Sequence, residues 1–441
     1  MAFCWFLTWP NLDVAAEHQP LETLIAAEST MFEIELQNIS KSYGSITVLT
    51  GLNLAFEAGR FSVVLGSPVS GKSVLMRLIM GLESPDTGKI LFRGRDVTHE
   101  PAGLRNFGYV PQSFALYPHY RVFDNIAYPL ALAKKDKNRT REQVHKVASK
   151  LKIEQLLQKF PAQLSGGEKQ CVALARGMIK DSSVFILDDP LVGLDFKLRE
   201  QLFVDLRDML SEVEGSVIYT TSDPLETLAL ADRVFVLDDK RVIESSPIDE
   251  VYDVPRQLRT LQLVGVPAAN MVSGQLIGRV CQTPFGQCEI EVGAETADPI
   301  PVQVGFRPEA IRLAEETLSP LSAEGKVLLR EDLGAETLLY FESASSRLVA
   351  YWSNREAAPV SGGRFKFSID PGSLHVFDGV TGKRLNASSD LDTVPTENPT
   401  QTGTYPGAMT DDSTPGPQAE IRTLPIPERS AALRKRSDSQ R

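Results

Sequence analysis

In FILDDP, Asp188 and Asp189 follow an apolar run and precede Pro190. A strand that ends on paired carboxylates either meets a cation or makes an acidic turn, because unpaired buried charge is expensive. GSPVSGKS at 66–73 favours the cation. It fits G-x-x-x-x-G-K-[ST], a glycine-bounded loop whose backbone N–H groups and following helix N-terminus surround a phosphate. The loop comprises Gly66, Ser67, Pro68, Val69, Ser70, Gly71, Lys72 and Ser73. In such a loop the lysine reaches the β- and γ-phosphates of a nucleotide and the serine hydroxyl ligates Mg2+. Asp188 is then the acid that holds the same ion, and the ion offsets the cost of desolvating it.

These residues need particular elements to hold them. SVVLG at 62–66 is a continuous apolar run suited to a buried parallel strand, and VLMRLIMGL after the loop has helical spacing. VFILD at 184–188 predicts a second buried strand, followed by a helix at 196–211. SVIYTTSD predicts a third, leading into LETLALADR. FEIELQ at 32–37 alternates as a strand does. Strands alternating with helices imply an α/β domain with a largely parallel sheet. Beyond about residue 268 the pattern changes to short strand-like runs such as PVQVGF, TLLYFES and RFKFSID, which read as a small all-β barrel or sandwich. From about 385 the chain is rich in Pro, Thr, Gly and Asp and too polar to bury a core, so it reads as disordered, with the basic end ALRKRSDSQR a solvated tail.

The totals set outer bounds. At 441 residues, two globular units plus tails are expected. The net charge of −11 argues against nucleic-acid binding by bulk electrostatics. The four cysteines, Cys4, Cys171, Cys281 and Cys288, show no metal-ligand spacing and suggest a reducing compartment. No stretch approaches the ~18–20 apolar residues that span a bilayer. Residues 1–30 read as a weakly ordered extension ahead of Met31.

LSGGEKQ at 164–170, with the phosphate loop and Asp188 in this order, resembles the signature of the ATP-binding-cassette (ABC) ATPases. The resemblance implies that Ser165, Gly166, Gly167 and Glu168, at a helix N-terminus, contact the γ-phosphate of ATP held by a second subunit. It implies that Tyr43 stacks on adenine, that Gln112 in YVPQSFALYPH approaches Mg2+ and signals to membrane subunits, and that Asp195 lies in the loop LVGLDFKLR. VGFRPEAIRL, LREDLGAETLLYFE and DPGSLHVFDGVTGKRL are similar to the C-terminal β-domain (TOBE/MOP-like) of importer ATPases for sugars and glycerol phosphate. The expected fold is therefore an α/β P-loop cassette over 31–245, with a helical subdomain at about 113–175. A linker over 246–267, an OB-like or TOBE β-domain over 268–384 and a disordered tail over 385–441 follow. The expected cofactors are ATP and Mg2+. The expected partners are a second ATPase subunit, two integral-membrane permeases and, indirectly, an extracytoplasmic solute-binding protein, with the chain peripheral on the cytoplasmic face of a bacterial inner membrane. An ATP-gated regulatory scaffold, or an importer ATPase for a polyamine, metal ion or oxyanion, is the alternative. A small-molecule kinase has no use for LSGGE.

Against that family the chain departs at four positions of its own nucleotide half-site. Asp189 stands where the general base is normally Glu. Losing one methylene withdraws the carboxylate by roughly 1.5 Å, and a displacement of about 1 Å can cost on the order of a hundredfold in rate. Ser222, in TTSD, stands where a switch histidine is usual, and cannot carry positive charge. The five histidines (His18, His99, His119, His145, His375) lie elsewhere. Val69 replaces a usual Gly and would be strained wherever φ must be positive. Pro68 offers no N–H. Cys171 replaces a basic residue, either as a reactive thiol or as a small buried side chain. Weakened hydrolysis in partnership with a competent second ATPase is the expectation.

Overall fold

The computed structural model describes residues 32–211, 215–292, 296–313, 319–334, 336–352 and 358–386. The extension over 1–30 and the tail beyond 386 lie outside them. Among the described residues, no helix is long and apolar enough to cross a membrane.

Six strands form the central sheet, in the order Arg241–Pro247, Arg233–Asp238, Phe61–Gly66, Ser216–Thr221, Val184–Asp188 and Gly108–Val110. All neighbours are parallel except the first pair. Parallel strands covered on both faces must be apolar throughout, and Val63, Val64, Ile186, Leu187, Val217 and Ile218 are each at most 3% exposed. A four-stranded antiparallel sheet (Ile46–Glu57, Phe32–Tyr43, Thr87–Phe92, Arg95–Asp96) packs on one side of this core. Helices Val122–Leu132, Lys137–Lys150 and Gly166–Met178 pack on the other.

The C-terminal region has two five-stranded antiparallel sheets around one core. Strands Asn270–Gly278, Val280–Thr283 and Ile311–Leu313 add to the runs read from sequence. Cys281 and Cys288 face each other across the Val280–Thr283 hairpin as free thiols inside this core.

The span read as a linker is structured. It carries helices Ile248–Asp253 and Leu258–Leu263, and buries Val251 and Val264 in the cassette core. Arg307, at the end of strand Thr296–Phe306, holds these helices to the β-domain. Its guanidinium donates to the carbonyls of Leu261, Val264 and Tyr252 and lies 4.1 Å from the Tyr252 ring centroid. Carbonyls at helix C-termini are a favourable place for a cation that has no carboxylate in contact. Leu385 and Asn386, assigned from sequence to the tail, pack on the β-domain: Leu385 N–H donates to the Val376 carbonyl at 2.7 Å and Asn386 binds the Leu374 and Val376 backbone.

His375 sits in this junction, 7% exposed and with Nδ1 unpartnered. Burial, then the charges of Arg384 and Arg307, push its pKa down to about 3. An imidazole held neutral in the folded state but not in the unfolded chain gives stability that is present above the unfolded pKa near 6.5 and lost as pH falls below it. Urea unfolding at pH 7 and pH 5 should show His375 contributing about 2 kcal/mol of the loss. His375→Leu should flatten that pH dependence, and an unchanged slope refutes the assignment.

Candidate functional site: a phosphate loop at the sheet edge

Strand Phe61–Gly66 ends at the carboxyl edge of the sheet, where parallel topology gathers ligand sites. Gly66 cannot be larger, since a Cβ would lie 2.5 Å from Ser70 Oγ and 2.6 Å from the Leu237 carbonyl. The chain then turns through Ser67–Ser70, closed by Ser70 N–H and Oγ donating to the Ser67 carbonyl at 3.1 and 2.8 Å. Gly71 has φ 102°, a left-handed geometry that suits glycine, and helix Lys72–Met80 starts immediately after it. Val69 is 93% exposed and is not among the residues with positive φ. The strain expected of Val69 is therefore absent: the left-handed step falls on Gly71. Pro68 is exposed beside it.

Lys72 is 2% exposed and folds back on the loop. Its Nζ donates to the Gly66 and Ser67 carbonyls at 2.9 and 3.0 Å and stands 3.5 Å from Asp189 Oδ2. Ser73 Oγ donates to Asp188 Oδ1 at 3.0 Å, and Thr220 Oγ1 donates to the same oxygen at 2.9 Å. Burial raises the Asp188 carboxyl above the usual range, against those two hydroxyls and the charges of Arg77 and Lys72. Burial likewise raises Asp189, opposed by Lys72 and reinforced by Asp188. Asp189 itself has φ 43°, a left-handed residue pinned by its N–H to the Thr220 carbonyl and hydroxyl. Asp tolerates that conformation better than most residues.

A cleft of about 490 Å3 opens beside this group, with Ser73, Arg77, Tyr109, Gln112, Arg176 and Asp188 in its wall. Gln112 is exposed at its rim. Arg176 ties the cleft to helix Gly166–Met178, donating to the Ala115 and Phe114 carbonyls at 2.7 and 3.1 Å. Tyr43 is half-exposed and fixed by its hydroxyl to Glu83 and Arg77. Lys41 Nζ lies 5.6 Å from its ring centroid. Ser222 is exposed after strand Ser216–Thr221.

The LSGGE segment is a helix tip with a reciprocal cap. Ser165 Oγ accepts from Glu168 N–H at 3.2 Å, and Glu168 Oε2 accepts from Ser165 N–H at 2.7 Å. Gly166 faces open space, whereas Gly167 lies under Leu198. Ser165 and Glu168 thus satisfy each other across the two glycines. Cys171 is buried, and burial pushes its thiol up to about 12, which makes it an inert packing residue. Sequence reading missed Thr220, which bridges the two acids, and Glu226, whose partners lie on helix Phe196–Ser211 and strand Ser216–Thr221.

Gly66→Ala should cost about 2 kcal/mol by overpacking. It should also weaken nucleotide binding, since the added methyl displaces Ser70 within the loop. Thermal melting and fluorescent-nucleotide titration measure the two effects, and wild-type values for both would refute the close-approach reading.

The ABC transporter family profile matches residues 49–192 and the TOBE domain profile residues 304–377. The sn-glycerol-3-phosphate import ATP-binding protein UgpC of Cereibacter sphaeroides is 34% identical over 361 residues, 80% of this chain and 100% of that protein. The maltose/maltodextrin import ATP-binding protein MalK of Escherichia coli K12 is 32% identical, covering 81% of this chain and 99% of MalK. The sulfoquinovosyl glycerol transport ATP-binding protein SmoE of Agrobacterium fabrum is 31% identical, covering 81% and 100%. With a glycine-bounded loop, an acid-terminated strand and full-length relatives of this similarity, the chain belongs to the ATP-binding ATPase subunits of ABC transporters, with a TOBE domain following the cassette.

Proposed function

We propose that the chain is the ATPase subunit of an importer for a carbohydrate or polyol-type solute. It sits on the cytoplasmic face of a bacterial inner membrane under two permease subunits, which an extracytoplasmic binding protein supplies. The names of UgpC, MalK and SmoE support the solute class, since each refers to a polyhydroxylated compound or its derivative.

The observation that carries the site assignment is the convergence of Lys72, Ser73 and Asp188 at one edge of the parallel sheet. Bound phosphates take Lys72 from the Gly66 and Ser67 carbonyls, and the loop amides and helix N-terminus receive the remaining charge. Ser73 and Asp188 fit Mg2+, because they are hard oxygen donors already in contact and the carboxylate is buried. When bound, that ion neutralises charge on the phosphates. Gln112 reads the γ-phosphate side from the cleft rim, and Tyr43 offers a ring to adenine once Lys41 moves off it. The Ser165–Gly167 tip, with Glu168 as its cap partner, serves the nucleotide of a neighbouring ATPase subunit.

Asp189 is the base that takes a proton from the attacking water. It is a weak base here: its short side chain is drawn to Lys72, and Ser222 supplies no charge to the γ-phosphate. Pro68 removes one loop N–H. The chain thus binds Mg·ATP and turns it over slowly, with a competent second ATPase completing the dimer.

Phosphate release by the purified chain should be slow, and Asp189→Glu combined with Ser222→His should raise it on the order of tenfold or more. Lys72→Ala should abolish nucleotide binding. Brisk turnover by the chain alone, at rates typical of transport ATPases, would falsify the weak-base reading. Affinity purification from membranes should bring down two permeases, and a soluble complex without them argues for a regulatory scaffold instead.

A further inference from the structure

The nucleotide-site roles leave unused an ionic cluster built on the buried Glu226. Helix Phe196–Ser211 begins just after Asp195, whose side chain caps it by accepting from Leu198 N–H at 3.1 Å. Leu198 covers Gly167 so closely that a Cβ there would lie 1.9 Å from Leu198 Cδ2. The next residue, Arg199, turns the other way. Its Nε and Nη2 donate to Glu226 Oε1 at 3.2 and 2.7 Å, and Nη2 also pairs with Asp223. Glu226 is 5% exposed, and its second oxygen accepts from the Tyr219 and Thr221 hydroxyls at 2.9 and 2.5 Å. Asp223 N–H donates to Thr221 Oγ1 at 3.0 Å, and Asp223 Oδ1 accepts from Leu225 N–H at 2.7 Å. Ser222 is thereby held on both sides.

A buried carboxylate with this many donors is costly to disturb, because losing one partner strands charge in the interior. The planar guanidinium fork fixes orientation in a way a lysine does not. Leu198 is partly buried against the core and touches Gly167, so a shift of the tip presses directly on it. From Thr221 the strand continues back to Thr220, which holds Asp188 and Asp189.

We propose that Arg199 and Glu226 are positioning residues that lock the Ser165–Gly167 helix tip to the loop 220–223 through helix Phe196–Ser211. Displacement of a tip lent to one nucleotide then reaches the loop beside the chain's own nucleotide. The mechanical link stands on contacts within this chain. Only its consequence for hydrolysis rests on the site assignment of the preceding section.

Hydrogen–deuterium exchange on the nucleotide-free full chain tests the link without using ATP. Gly167→Ala, which forces Leu198 away, should speed exchange of amides 219–227 by about threefold or more. In an Arg199→Ala background those amides should already exchange fast, and adding Gly167→Ala should change them little. Arg199→Lys should fall between. If Arg199→Ala does not fold, Leu198→Ala, which empties the space over Gly167, serves as the uncoupling variant. The proposal is overturned if Gly167→Ala disturbs only residues 166–178, or if its effect on 219–227 is equal in both backgrounds. In the assembled transporter, Glu226→Gln should lower the Hill coefficient of ATP hydrolysis towards 1 with less than about a twofold change in nucleotide affinity. Unchanged cooperativity with intact binding removes the functional consequence while leaving the exchange result to judge the link.

Discussion

Asp188 is almost wholly out of water at the carboxyl end of strand Val184–Asp188, and the site is arranged around meeting its charge. The neighbouring strand supplies Thr220 and the phosphate-loop helix supplies Ser73, both to the same oxygen. Those hydroxyls arrive there only because strands 61–66, 216–221 and 184–188 run parallel and in register, ending at one edge. A reversed strand would place these ends on opposite sides of the domain. The loop's shape follows from the same edge: Gly66 must be bare of a Cβ to pass the Leu237 carbonyl on the adjacent strand. Lys72 lies on the Gly66 and Ser67 carbonyls and beside the Asp189 carboxylate.

The parts of this arrangement that rest on local pattern were legible. Continuous apolar runs of five or six residues marked the buried parallel strands, and GSPVSGKS marked the loop between strand and helix. The parts that rest on partners far along the chain were not. Arg199 and Glu226 lie 27 positions apart and belong to no short motif, and Thr220 gains its role only when strand 216–221 is set beside 184–188. Strand Val280–Thr283 is four residues long, too short for its period to stand out. The segment 246–267 read as a linker, since its two helices are only six residues each and need the cassette core to hold them.

Backbone conformation was the least visible feature. Val69 drew suspicion from its side chain, but the positive φ angles fall on Gly71 and, less expectedly, on Asp189. For Asp189 that geometry is a consequence of position: one residue after a buried strand, its N–H is taken by Thr220 and its carboxylate by Lys72. Two adjacent acids in the sequence thus have different jobs, one facing a hydroxyl pair and the other an ammonium group.

The helices of residues 248–263 carry a consequence for how such chains are assembled from modules. Val251 and Val264 belong to the cassette interior, while Arg307 reaches back from the β-domain to close the helix ends. Splicing at residue 246 would therefore strip apolar plugs from the ATPase and leave a buried guanidinium without its carbonyls. A recombination that exchanges the C-terminal module with least damage joins beyond Pro267, and the incoming partner must bring an arginine at the position of Arg307.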